Sequence, residues 1–398
     1  LFLSADDGMH GAELWRSDGT AAGTRMVKDI DPGAYASSSP SYLTNVNGTL
    51  FFEANDGAHG SELWRSNGTA AGTVLVKDIN PKSGSYPTFL TNVNGTLFFQ
   101  ANDGTHGAEI WRSNGTAAGT VLVKDIDPGA TGSDPILLTN ANGVLFFSAN
   151  DGVHGYEPWR SNGTAAGTFL LKDINRGSAS SLPPVTPGIG ATPRPVSVNG
   201  IVLFPANDGV HGFELWTSNG TTAGTFMVKD INPDNHISFH GSYPQDLTNV
   251  NGTVFFAADD VIHGNELWMS NGAAAGTTIV KDINPGNRSA NPGQMANVNG
   301  ALFFSADDGV HGQEPWALGP VPAAPGDTAA SPTGPAVVDA TFISPLHIDG
   351  SILTPADRSH SSSELLEHGL TARAMHVIHY AHLRAVPPST DDLLADWG

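Results

Sequence analysis

The segment Glu62-Leu63-Trp64-Arg65-Ser66-Asn67-Gly68-Thr69-Ala70-Ala71-Gly72-Thr73 decides the fold, because near-copies of it return along the chain. They are anchored on Trp15, Trp64, Trp111, Trp159, Trp216, Trp268 and Trp316, with gaps of 49, 47, 48, 57, 52 and 48 residues. A period of this size marks a repeat architecture, in which each unit buries its apolar face against its neighbours.

Outward from that segment, one full unit runs from Leu43 to Ile79. Leu43-Thr44-Asn45-Val46 reads as a short strand, and Asn47-Gly48 as a type I′ hairpin turn, since both residues tolerate positive φ. Leu50-Phe51-Phe52-Glu53-Ala54 is the second strand, and its continuous apolar run suits burial on both faces. Asn55-Asp56-Gly57 turns the chain into a third strand, Ser61 to Ser66. Asn67-Gly68 then opens a longer loop to Gly72. Val74 to Ile79 is the fourth strand, stopped by Asn80-Pro81. Four strands joined by hairpins make one propeller blade. Seven units predict an all-β chain, a seven-bladed β-propeller of four-stranded antiparallel blades, because a closed ring hides the end faces that an open row exposes. A β-solenoid competes, but its coils are shorter and need no internal hairpins.

The propeller fills residues 1–318, a Pro/Ala/Gly-rich linker covers 319–335, and a tail occupies 336–398. The tail carries one expected helix, about 362–386, opened by the capping-box spacing of Ser361-Ser362-Ser363-Glu364 and ended by Pro387-Pro388. The first unit lacks its opening strand, and the seventh stops after Trp316 without a Val-Lys-Asp-Ile strand. Ala336-Val337-Val338 or Thr341-Phe342-Ile343 of the tail, a strand upstream of Leu1, or a neighbouring molecule are the candidate sources. Because Leu1 falls in mid-unit, an export signal is expected upstream. Insertions at 176–195, around Pro183-Pro184, and at 233–242, with His236 and His240, break the period. Such insertions are surface loops suited to binding.

Formal charge is −21, and acids outnumber bases in both parts, which argues against nucleic acid or anionic lipid as a partner. There are no cysteines, so disulfides, Cys-type zinc sites and thiol catalysis are excluded. No run of 18 apolar residues exists to insert into a membrane.

Each unit carries acid/amide-Asp-Gly-x-His-Gly-x-Glu, as in Asp6-Asp7-Gly8-Met9-His10-Gly11-Ala12-Glu13. Oxygen ligands clustered with glycines suit Ca²⁺, the one cofactor candidate. Its ligands would be Asp6, Asp7, Glu13, Asp56, Glu62, Asp103, Glu109, Asp151, Glu157, Asp208, Glu214, Asp308 and Glu314. The alternative is structural: Asp and Gly make the turn, while His and Glu bond within or between blades. The sixth unit, Asp259-Asp260-Val261-Ile262-His263, loses the glycine. The seven tryptophans serve either inter-blade packing or a sugar-stacking surface. Lys-Asp pairs such as Lys28-Asp29 and Lys77-Asp78 are expected to ion-pair with a neighbouring blade. Asn-Gly-Thr at Asn47, Asn67, Asn94, Asn114, Asn162, Asn219 and Asn251 fits the glycosylation sequon, but the turns already demand Asn-Gly. In the tail, His368, His376, His379 and His382 are either metal ligands or a polar helix face. No catalytic motif is present, so no catalytic residue is assigned.

The repeated Glu-Leu-Trp-x-Ser-Asn/Asp-Gly-Thr-x-Ala-Gly-Thr resembles the bacterial repeat family named for its ELW-x-x-DGT signature. The likeness covers residues 1 to about 318, with Asn in place of Asp in most copies. It implies an exported, non-catalytic, β-rich protein of the cell surface or medium, and supplies no ligand residues. The expected function is an extracellular or cell-surface binding module for a protein or glycan surface. The alternatives are a structural protein that self-associates into oligomers or polymers, or an enzyme at the channel mouth.

Overall fold

The computed structural model describes residues 1–33, 35–182, 194–233, 241–319 and, as backbone, 342–343. The tail helix, its histidines, Ala336-Val337-Val338, His236, His240 and Pro183-Pro184 therefore lie outside the described residues. The chain forms two compact units, Leu1–Asp230 with Asn235–Gly241, and Ile231–Asp234 with Ser242–Gly398.

The first unit holds five antiparallel sheets, each one repeat and each strand paired with the next in sequence. Blade 2 is typical, with strands Ser41–Val46, Thr49–Asn55, Ser61–Ser66 and Val74–Lys77. Blades 3, 4 and 5 begin at Thr88–Val93, Ile136–Ala141 and Val196–Val198 and are likewise four-stranded. Blade 1 has only three strands, Phe2–Asp6, Ala12–Arg16 and Arg25–Lys28, so four strands in every blade is corrected there. The second unit holds blades 6 and 7, which begin at Gln245–Val250 and Gly293–Val298. Phe342–Ile343 supplies the fourth strand of blade 7, pairing with Ala317 and Leu318 of Gln313–Leu318, so the tail is the source.

The core lies between blades. Leu14, Val27 and Ile30 of blade 1 and its linker pack on Leu50, Phe52 and Trp64 of blade 2. In the second unit, Phe255, Leu267 and Ile283 meet Leu302, Phe304 and Trp316 in the same way. Phe52, Phe99, Phe147 and Phe204, at one strand position, are fully buried, each contributing about 1.5–3 kcal/mol. Trp64, Trp111, Trp159, Trp216, Trp268 and Trp316 are buried as well, which assigns these six to packing, while Trp15 is half-buried.

For Lys28, Lys77 and Lys124 the partner in the neighbouring blade is not the expected carboxylate. Lys28 reaches blade 2, where its Nζ donates to Thr73 O at 3.0 Å and lies 5.4 Å from the Trp64 ring. Lys77 does the same with Thr120 O (2.9 Å) and Trp111 (5.5 Å), and Lys124 with Thr168 O (2.9 Å) and Trp159 (5.5 Å). In each of these three cases the ammonium meets a strand-entry carbonyl and an indole face of the following blade. The Asp of each Lys-Asp pair points elsewhere, and the Oδ1 atoms of Asp29, Asp78, Asp125 and Asp173 are buried without a hydrogen-bond partner.

The signature itself is a closed loop of side-chain hydrogen bonds. Ser66 Oγ pairs with Thr73 Oγ1 at 2.7 Å and accepts from Gly68 N at 3.0 Å. Thr69 Oγ1 donates to Asn67 Oδ1 at 2.7 Å and accepts from Gly72 N at 3.0 Å. A Cβ on Gly72 would sit 2.0 Å from Asn67 Oδ1, which explains that glycine. The Asn47-Gly48 turn has φ of 50° and 84° and is held by Gly48 N donating to Asn45 Oδ1 at 2.8 Å, as the sequence predicts.

Candidate binding face

At the other end of each sheet, the turn between the second and third strands lies beside the linker to the next blade. A parallel bridge from Ala108 to Gly132 and the bond from Ala12 N to Ser37 Oγ (2.9 Å) join the two. In the turn, Asp7 Oδ1 accepts from Met9 N and His10 N, while Oδ2 pairs with His10 Nδ1 at 2.8 Å. All seven turns repeat this dyad, through Asp56–His59, Asp103–His106, Asp151–His154, Asp208–His211, Asp260–His263 and Asp308–His311 at 2.7 to 2.8 Å. The hydrogen bond from the imidazole, with two backbone N–H groups, holds the Asp7 and Asp308 carboxyls down at about 2. The same bond raises the histidines above their ordinary value.

The Glu that closes the motif does something else. Glu13, Glu62, Glu109, Glu157, Glu214 and Glu266 are fully buried. Glu62 accepts from Ile79 N (3.1 Å), Asn80 N (3.2 Å), Ser85 N (3.0 Å) and Ser85 Oγ (2.6 Å), which pins the linker to blade 3. Glu157 holds the next but one linker through Ile174 N, Asn175 N, Ser181 N and Ser181 Oγ. Burial pushes the Glu62 and Glu109 carboxyls up, and those of Glu157 and Glu266 up to about 7. Glu314 of blade 7 is only half-buried.

The carboxylates grouped as Ca²⁺ ligands therefore divide. Asp7, Asp56, Asp103, Asp151, Asp208 and Asp308 serve turn amides and a histidine, Asp6 Oδ1 accepts from Gly8 N at 2.7 Å, Glu13, Glu62, Glu109 and Glu157 hold the linkers, Glu214 is buried, and Glu314 is half-buried. Among the described residues no three His, Asp or Glu groups converge in a way that holds a metal ion.

The linker then delivers the chain to the first strand of the next blade through two residues in the left-handed region. The first precedes a proline: Ser39 (φ 48°), Tyr86 (50°) and Asp134 (44°) in the first unit, Tyr243 (48°) and Asn291 (48°) in the second. The second follows three residues later: Tyr42 (54°), Phe89 (54°) and Leu137 (59°), and in the second unit Asp246 (54°) and Gln294 (55°). Pairing with the second strand slips there, between Ser41 and Thr44, Thr88 and Thr91, and Ile136 and Thr139. Thr44 fastens the bulge by donating to Tyr42 O at 2.8 Å and to Leu90 O of the next blade at 3.2 Å. Bulges re-aim side chains, and a non-glycine residue held left-handed costs about 1–3 kcal/mol that the surroundings must supply.

In the first unit these bulges line a cleft of about 700 Å³. Its walls are Tyr42, Leu43, Thr44, Phe89, Leu90, Thr91, Leu137, Leu138, Thr139, Arg194 and Pro195. The Tyr42 and Phe89 ring centroids are 6.5 Å apart and tilted by 46°. Arg194 is exposed and ends the 176–195 insertion. Of the bulge positions that differ from blade to blade, Tyr42 is exposed, Phe89 half-buried and Leu137 buried, and all three line the cleft. The sequence singled out the insertion and not the bulges. Their signal was present in the X-Pro step before each first strand, followed three residues later by a changing residue.

No family model and no curated protein matches this chain. Among solved structures it is similar to the computationally designed Ika8 protein, at 14% identity and a TM-score of 0.42, over 79% of each chain. It is also similar to prolyl oligopeptidase B from Galerina marginata, at 12% identity and a TM-score of 0.45, over 80% of this chain and 48% of that one. Puromycin hydrolase matches at 13% identity and a TM-score of 0.41, over 77% and 49%. The chain spans about half the length of those two hydrolases, and at this level of likeness their chemistry does not extend to it.

Proposed function

We propose that the chain is an exported, non-catalytic binding module of the ELW-x-x-DGT type, whose seven blades close into a propeller ring. The carrying observation is the contrast between repeated and unrepeated positions. The signature loop, the His–Asp turn and the buried Glu each have a structural partner within the fold. Tyr42, Phe89, Leu137 and Arg194 differ from one another instead, and they meet in one cleft whose bulged backbone is costly to maintain. Such a division, a rigid repeated frame presenting variable residues at one mouth, suits recognition of a partner surface.

The test is an array of peptides and glycans probed with the wild-type chain, with Tyr42→Ala/Arg194→Gln, and with Val153→Ser at an outer turn. Saturable hits should disappear with the double change at the mouth and survive Val153→Ser. Hits that ignore the mouth and follow the turn would sink the reading.

A further inference from the structure

The chemistry of the cleft narrows its ligand, and this step rests on the binding-module reading above. We infer that the cleft takes an apolar body bearing a single carboxylate, with the carboxylate on Arg194 and the body against Tyr42, Phe89 and Leu137.

The threonines in the wall do not offer a sugar what it needs. Thr44 Oγ1 donates to Tyr42 O and Leu90 O, Thr91 Oγ1 to Phe89 O at 2.8 Å and Leu138 O at 3.3 Å, and Thr139 Oγ1 to Leu137 O at 3.0 Å. Their hydroxyl hydrogens are committed to the bulges, so they present acceptor lone pairs alone. A polyhydroxylated ligand needs many donors and acceptors together, and with donors confined to Arg194 and the Tyr42 hydroxyl most of its own hydroxyl oxygens would go unpaired against the leucines.

Arg194 is the one charged residue in the wall, and no described acid or carbonyl engages it. A guanidinium offers a planar fork that matches a carboxylate with two parallel bonds. The formal charge of −21 does not cancel this, because exposed charges beyond about 8 Å are screened at physiological salt. A phosphate dianion would want a second cation, which the wall lacks. A volume of about 700 Å³ holds one or two amino-acid side chains or a small aromatic acid.

Two sources share this chemistry: a free aromatic or aliphatic acid, and the C-terminus of a peptide ending in a large apolar residue. Calorimetric titrations of the full chain with N-acetylphenylalanine, its amide, and Gly-Gly-Gly-Gly-Phe as acid and as amide separate them. The acids should bind at least tenfold tighter than their amides. In Arg194→Gln that preference should vanish, with Arg194→Lys retaining part of it and circular dichroism unchanged. A preference for the acid peptide over N-acetylphenylalanine assigns the site to chain termini, and the reverse order to free acids. Amides binding as well as acids, acid preference surviving in Arg194→Gln, or no binding of any of the four overturns the inference. If the arrays nonetheless give hits that Tyr42→Ala abolishes, the binding-module reading stands while the carboxylate inference falls.

Discussion

Replacing Glu62 by glutamine tests the claim that the buried glutamate is a linker clamp. Glu62 is fully buried, and its two oxygens take three backbone N–H groups and one hydroxyl. An amide nitrogen in place of Oε1 would face Asn80 N and Ser85 N, stranding two donors. In place of Oε2 it would face Ile79 N alone, because Ser85 Oγ can rotate to accept. The chain will choose the second arrangement, leaving one buried N–H unpaired at a cost of about 1–3 kcal/mol. Glu62→Ala strands all three and should cost roughly 3–6 kcal/mol. Glu314→Gln is the internal control, because Glu314 is half-buried and no described linker donates to it. It should lie within about 0.5 kcal/mol of wild type. Urea unfolding followed by tryptophan emission gives the three values. Equal losses for Glu62→Gln and Glu314→Gln, or a Glu62→Ala no worse than Glu62→Gln, would refute the clamp.

Three further outcomes follow from the same geometry. Glu157 and Glu266 rise from 4.5 to about 7 on folding, so the native state holds extra protons between those values and stability falls as pH rises across that window. The loss is roughly 3 kcal/mol per group, and Glu157→Gln should remove one such share, making the fall in unfolding free energy between pH 5 and 7 shallower. Each repeat histidine is raised chiefly by its Asp, so its stabilising share is complete below about 6.5 and fades as pH climbs through the folded value; NMR titration should show the His59 value falling in Asp56→Asn. Lys77→Met keeps the apolar stem but loses the bond to Thr120 O and the contact with Trp111, for about 1–2 kcal/mol, and a double-mutant cycle with Trp111→Leu should show coupling of at least 0.5 kcal/mol.

The strands were legible because they are local. Asn47-Gly48 demanded a tight hairpin, Leu50-Phe51-Phe52 demanded burial on two faces, and both lie where the sequence placed them. Lys77 was misread because its partners, Thr120 O and Trp111, belong to the next blade and no spacing within one unit reveals them. The Asp7–His10 pair and Glu13 were adjacent in the motif yet face different partners, since three residues in a turn and a strand residue beyond it do not share a direction. Tyr42 and Phe89 were not singled out by the sequence, where the first strand of the unit was read from Leu43. Their left-handed backbone follows from a register slip fixed by Thr44 and Thr91, which a period-two pattern does not display.

The turn at Asn47-Gly48 also bears on how the molecule ages. An Asn-Gly step normally decays when the glycine nitrogen attacks the asparagine side chain and expels ammonia through a cyclic imide. Here that nitrogen is already donating: Gly48 N to Asn45 Oδ1, Gly95 N to Asn92 Oδ1, Gly143 N to Asn140 Oδ1, and in the signature loop Gly68 N to Ser66 Oγ. A chain whose folding signal is written in the most fragile dipeptide keeps the attacking atom occupied for as long as it stays folded. Chemical decay at these steps therefore becomes a clock for unfolding: isoaspartate should accumulate at the rate the turns open, far more slowly than in the urea-denatured chain.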